Sequence, residues 1–160
     1  MKTAVIKSTS NSESAITLRN KKYAENAYAK VAEMRADKSE LSDSDYKEKR
    51  ELEAEYRTQA LNLPTMILQS GLAQAVGFLM AKSKIGNEGS ATAKQKAFQN
   101  LFEHLENLLK KNLNGESLNQ VILKSNITEY QTLTRNALEA SSWLKRYTQA
   151  LLRKKGENDD

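Results

Sequence analysis

One histidine, His104, and no cysteine are present, so the side chains that most often carry chemistry are nearly missing. A single imidazole without thiols rules out disulfides, cysteine nucleophiles and zinc centres of ordinary ligand composition. A serine–histidine–acid triad would need its serine on a sharp turn, and the sequence has no Gly-x-Ser-x-Gly segment to make one. His104 is therefore expected on the flank or surface of a helix. Glu51, Glu53 and Glu55 form an acidic run. On a helix, alternate side chains diverge, which predicts a solvated face and not a metal site. Asp43 and Asp45 begin like a calcium loop, but Lys47 takes the next ligand position and no glycine follows. Gly71 and Gly77 lack the Gly-Lys-Ser/Thr of a phosphate loop. The expectation is a chain without catalysis, cofactor, metal or small-molecule substrate.

Basic side chains remain. The 160 residues carry a net charge of +5, unevenly spread. Residues 33–55 are net acidic, whereas residues 1–32 and 56–155 are net basic. Arg135, Arg146 and Arg153 are spaced by eleven and seven residues, three turns and two turns of one helix, and so predict a cationic stripe on one rod. Lys145 lies beside Arg146, Lys82 and Lys84 close another helix, and Arg57 belongs to a third. Such a surface fits either a polyanion, bound through its phosphates, or plain solvation.

The elements that would carry these groups read as helices. One proline and six glycines in 160 residues are too few for a β-sandwich. Residues 1–16 lack periodicity and read as a flexible arm. Leu18, Ala24, Ala27, Val31 and Met34 recur at helical spacing from about Thr17 to Asp37. A second helix, capped by Asp43 or Ser44, runs to about Leu61, with Leu52, Tyr56 and Ala60 inward. Pro64 is expected to open a new helix ending near Lys82, since proline suits a first turn and disfavours helix at the residue before it. That helix is apolar nearly all round, which predicts a central position. Thr58 to Ala81 carries no charge, but its amides, hydroxyls and proline make it a core helix and not a membrane span. Gly86-Asn-Glu-Gly-Ser90 reads as a loop, Thr92 to Leu113 as a fourth helix, and Ser117 to Lys124 as a short one. Asn126 and Glu129 have capping-box spacing before a last helix reaching Lys155. The result is an all-α, compact single-domain bundle of about five main helices over residues 17–155, followed by a flexible acidic tail, 156–160. Ala4-Val5-Ile6 is too short for a signal peptide, so a cytoplasmic location is expected.

Two segments carry a resemblance: Leu63-Pro-Thr-Met-Ile-Leu-Gln-Ser-Gly-Leu-Ala-Gln-Ala-Val-Gly-Phe-Leu79, and Glu129-Tyr-Gln-Thr-Leu-Thr-Arg-Asn-Ala-Leu138 followed by Trp143-Leu-Lys-Arg-Tyr147. With Tyr56-Arg57 upstream, they resemble the small subunit of the type III-B CRISPR effector, the Cmr (RAMP module) complex of antiviral defence. The resemblance implies a non-catalytic helical subunit. Copies of it would stack beside the backbone subunits, in a complex that includes a large subunit, and flank the groove holding guide RNA and target RNA. RNA contact is then expected from Lys145, Arg146 and Arg153 first, then Lys82, Lys84, Arg57 and Arg135. Pro64, Gly71 and Trp143 are assigned to structure: a helix start, a close helix crossing and a core anchor. The acidic segment 43–55 of one copy would face a basic flank of the next. The rival readings are the type III-A small subunit, disfavoured by Leu63-Pro-Thr-Met-Ile67, and a free-standing helical nucleic-acid-binding regulator, for which no helix-turn-helix is apparent.

Overall fold

A computed structural model describes residues 2–84 and 89–157, with side chains from Leu18 onward. Most of the Gly86–Ser90 loop and the last three residues of the acidic tail lie outside the described residues, as do the side chains of the 1–16 arm. Six α-helices follow one another: α1 (Lys2–Met34), α2 (Asp43–Ser70), α3 (Leu72–Lys82), α4 (Ala93–Leu109), α5 (Leu118–Lys124) and α6 (Ile127–Leu151), with a 3₁₀ turn at Lys110–Asn112. The fold is all-α, a single domain, with no strand among the described residues.

Local signals explain most helix starts. Thr92 with Gln95, Ser117 with Gln120, and Asn126 with Glu129 each form a reciprocal capping box, which satisfies amides left free in the first turn. Ser42, and not Asp43 or Ser44, caps α2 through the amide of Asp45. α1 begins at Lys2, ahead of the start expected near Thr17, so residue 16 is not a helix boundary.

Side-chain pairs set the register of the four long helices. Arg19 meets Glu139 and Tyr28 meets Tyr147, so α1 and α6 run parallel. Glu48–Lys96 and Tyr56–His104 make α2 and α4 parallel to each other. Glu53–Arg153 and Ala73–Tyr130 set the α2–α3 segment antiparallel to α6. The core fills the space between, with Val31, Tyr56, Leu63, Leu101, Leu105 and Leu144 fully buried. The central element is α2. The apolar stretch expected at the centre, Pro64 to Lys82, is divided between α2, which buries Pro64 and Ile67, and α3, which buries Leu72, Ala75, Val76 and Leu79 but leaves Phe78 and Met80 exposed.

Pro64 does not start a helix. It sits inside α2, where Leu63, Pro64 and Ile67 are all buried, and their packing outweighs the hydrogen bond that proline cannot make. The break falls instead at Gly71, with φ 83° and ψ 158°, a region that side chains other than glycine's scarcely enter. Gly71 is thus a corner and not a close helix crossing. A Cβ there would stand 3.4 Å from the Tyr130 hydroxyl. That hydroxyl accepts from the Ala73 amide at 3.1 Å, capping α3 from another helix where Gly71 offers no side chain.

The top of the bundle is closed by Glu53. Its side chain is fully buried, contrary to the solvated face expected of the acidic run. Oε2 accepts from the Ala36 amide at 3.1 Å and from Arg153 Nη2 at 3.1 Å. Oε1 accepts from the Arg153 amide at 2.8 Å and from Arg153 Nε at 3.3 Å. Arg50 Nη1 lies 3.0 Å from Oε2, and Arg50 Nη2 donates to the carbonyls of Lys154 and Glu157. Arg50 thus holds the chain beyond α6 at Lys154 and Glu157. Burial alone would raise the Glu53 pKa. Hydrogen bonds from Arg153 and Ala36, with the Arg50 charge, outweigh it and hold the carboxyl below the usual carboxylate range. The resulting stability is present above the unfolded carboxyl pKa and is lost as pH falls through the folded one.

Glu53→Gln removes the charge but keeps the shape, leaving two guanidinium groups facing a neutral amide. Urea unfolding at pH 7 should show a loss of roughly 3 kcal/mol or more. Glu51→Gln, two residues away on exposed surface, should stay within about 0.5 kcal/mol of the parent. Equal effects would contradict this role for Glu53.

Candidate nucleic-acid interface

The cations singled out in the sequence separate into three groups. Arg153 and Arg57 do not join an exposed stripe. α6 ends at Leu151 and the chain turns extended at Leu152, so helical spacing no longer relates Arg153 to Arg146. The Arg153 side chain, only 13% exposed, turns inward to Glu53 and to the carbonyl of Ala36 at 2.6 Å. Arg57 Nε donates to the Leu152 carbonyl at 3.2 Å. Both arginines hold the chain end against α2.

Lys82 and Lys84 form a second group at the end of α3, and both are exposed. Lys82 Nζ stands 5.7 Å from the centroid of the exposed Phe78, whose ring meets Phe98 edge-on. The carbonyl of Lys84 accepts from Gln95 Nε2, which fixes the chain leaving α3 against the start of α4.

The third group lies on α6. Arg135 and Arg146 are exposed and Lys145 is half-buried. Trp143 is half-buried and packed against the core, so it anchors only in part. The Arg146 guanidinium lies over its indole at 5.3 Å. Trp143 stacks on Tyr147 with centroids 5.8 Å apart, and Tyr147 meets Tyr28 of α1 edge-on at 5.4 Å.

Sequence reasoning missed a further cationic contact. Lys22 on α1 and Lys111 after α4 come together, and Lys111 is held below its ordinary pKa because the Lys22 ammonium can donate only to a neutral Lys111 amine and, next, because of its like charge. Nothing in a linear reading pairs residues so far apart.

His104 is buried at 8% exposure and not on the surface. Its Nδ1 and the hydroxyl of the fully buried Tyr56 share a hydrogen bond of 2.8 Å. Desolvation, and then the Lys30 charge, push the imidazole down to about 4, while burial raises the phenol. The pair is a polar tie between α2 and α4. No helix among the described residues is long and apolar enough to cross a membrane.

This arrangement of helices is that of a CRISPR-associated protein. It matches the X-ray crystal structure of a CRISPR-associated Cmr5 family protein from Thermus thermophilus with a TM-score of 0.61 and 27% identity, over 84% of this chain and 98% of that one. The CRISPR system Cmr subunit Cmr5 of Thermus thermophilus is 29% identical over 136 residues, which cover 84% of this chain and 96% of the relative. The CRISPR-associated protein family Cas_Cmr5 matches residues 19–151. The chain belongs to that family. The matched span contains Arg57, Lys82, Lys84, Arg135, Lys145 and Arg146 and stops before Arg153.

His104 sets a pH dependence. From about pH 6.5 down to its folded pKa of about 4 the unfolded chain binds a proton that the folded chain does not, so stability falls with pH across that window. Urea unfolding at pH 5 should show about 2 kcal/mol less stability than at pH 7. His104→Leu should be less stable at both values, because the Tyr56 hydroxyl loses its partner, but should show little of that difference. An unchanged pH difference in His104→Leu would contradict the assignment.

Proposed function

We propose that this chain is a non-catalytic small subunit of a cytoplasmic type III-B CRISPR (Cmr) ribonucleoprotein effector, serving antiviral defence. In this reading, copies of the chain stack beside the backbone subunits, and their basic surface supports guide RNA and target RNA. The carrying observation is the family match across residues 19–151, a span that includes exposed Arg135 and Arg146 on one rigid helix. Base pairing supplies specificity in such a complex, so a scaffold subunit needs only cations that meet phosphates and carry no sequence information themselves. A helix packed on the core from Leu133 to Thr148 holds those cations at fixed spacing.

Within that role the residues divide by what already occupies them. Arg146, Arg135, Lys145, Lys82 and Lys84 are the RNA-contacting candidates. Arg57 and Arg153 act through structure, holding the end of α6 on α2. Stacking of copies is supported by charge: the first half of α2 presents Glu48 and Glu51 to solvent, opposite in sign to the outer face of α6.

Salt dependence of target binding by the assembled complex tests the reading. Each of Arg146→Gln, Arg135→Gln, Lys82→Gln and Lys84→Gln that removes a phosphate contact should lower the magnitude of the slope of log K against log salt by about 0.7 per copy for single-stranded contact. Unchanged slope and affinity in all four, singly and combined, would overturn RNA contact by these residues.

A further inference from the structure

We propose that the seam between α1 and α6, built on Tyr28, Tyr147 and Trp143 and flanked by Arg146, is a stacking platform for unpaired RNA bases. The inference rests on the RNA-contacting reading above and deepens it. The backbone cations of that reading would bind paired and unpaired strands alike, whereas aromatic faces select bases that have left a duplex.

Three rings meet where α1 packs on α6. Trp143 and Tyr147 lie nearly parallel, 24° apart, and Tyr28 stands across Tyr147 at 83°. Tyr28 is 52% exposed while in ring contact with Tyr147. Trp143 and Tyr147 are half-buried, with one side against the core. Tyr28 thus presents π surface to solvent, beside two rings braced against the core and against each other. This preorganisation suits stacking, because little side-chain freedom is lost when a base arrives.

The charge around the rings names the occupant. Lys21 precedes Tyr28 by seven residues and Arg35 follows it by seven, so Lys21 shares its side of α1 and Arg35 follows just past the helix end; both are exposed. Arg146 lies on the α6 side. Of the acids along this seam, Glu139 is paired with Arg19 at 3.1 Å and Glu25 with Lys21 at 3.9 Å. Cations interleaved with aromatic faces form the pattern of a single-strand groove, with bases on rings and phosphates on side chains. The Arg146 guanidinium now covers the indole face. At an exposed site that contact is weaker than a base on an aromatic ring, so a base can take the indole face while Arg146 swings to the adjoining phosphate.

The test is photo-cross-linking in the complex assembled with guide RNA. Target RNAs carry 4-thiouridine at single positions, some inside the guide-paired region and some unpaired, and cross-linked residues are mapped by mass spectrometry. Cross-links to Tyr28, Trp143 or Tyr147 from unpaired positions, about tenfold above paired ones, are expected. They should fall about tenfold in Tyr28→Ala, an exposed substitution that spares the core, and at least threefold in Arg146→Gln. Cross-links confined to the Lys82 and Lys84 region would overturn the platform and leave the RNA-contacting role standing. No cross-link anywhere on this chain would overturn both. Coverage of the seam by another protein subunit, seen as protein–protein cross-links at Tyr28 with no RNA adducts there, would make it a protein interface and overturn the proposal.

Discussion

Glu53 places a carboxylate where no solvent reaches it, and such a charge costs several kcal/mol unless it is paired and hydrogen-bonded. The chain meets that demand with groups from three places: an amide just past the end of α1, a guanidinium one turn earlier on α2, and both the amide and the side chain of Arg153. Because the carboxylate cannot be satisfied until all three arrive, it couples the end of α1, the start of α2 and the exit of α6. The hydrophobic stripes of these helices would tolerate small slides past one another. The fixed positions of four donors do not.

That coupling decides what α6 can do. Its two ends are pinned by different polar devices: the Asn126–Glu129 capping box with Tyr130 bound to the Ala73 amide at one end, and the Glu53 and Arg57 contacts at the other. Between them the helix lies in the register set by Arg19–Glu139 and Tyr28–Tyr147. Arginine serves both purposes in this molecule. Its rigid multi-donor fork suits Arg50, which reaches Glu53 and two backbone carbonyls at once. The same always-charged group, left on the surface at Arg135 and Arg146, is available to phosphates. The helix that displays the outward cations is held by the inward ones.

The helical character of the chain was legible because it depends on local pattern: apolar spacing, scarce glycine and proline, and the Asn126-x-x-Glu129 box. The resemblance carried by Leu63–Leu79 and Trp143–Tyr147 pointed to the family that the comparisons show. What escaped was set by contacts distant in sequence. Glu53 looks like its neighbours Glu51 and Glu55 until Arg153, one hundred residues away, is placed against it. His104 sits beside an apolar stripe, and only Tyr56 across the interface explains its burial. Pro64 carried a correct local preference that core packing overrode, and the break moved to Gly71, where the backbone needs a conformation other residues avoid. The Arg135–Arg146–Arg153 stripe failed at its last member because α6 ends two residues before it, at Leu151, whereas the glycine that marks a stop in the sequence, Gly156, lies five residues further on. Trp143 read as core because tryptophan usually is. Its partial exposure, with Arg146 over the indole, depends on how α1 packs across α6.

Native-state hydrogen exchange at the Ala36 and Arg153 amides tests the central claim most directly. Both lie outside regular helix, and both donate to the buried carboxylate. If Glu53 closes the bundle, these two amides exchange as slowly as those in the middle of α2 and α6, and Glu53→Gln speeds both together. If they exchange at the rate of an unstructured peptide while the helical amides stay protected, the carboxylate is not what holds the helices in register.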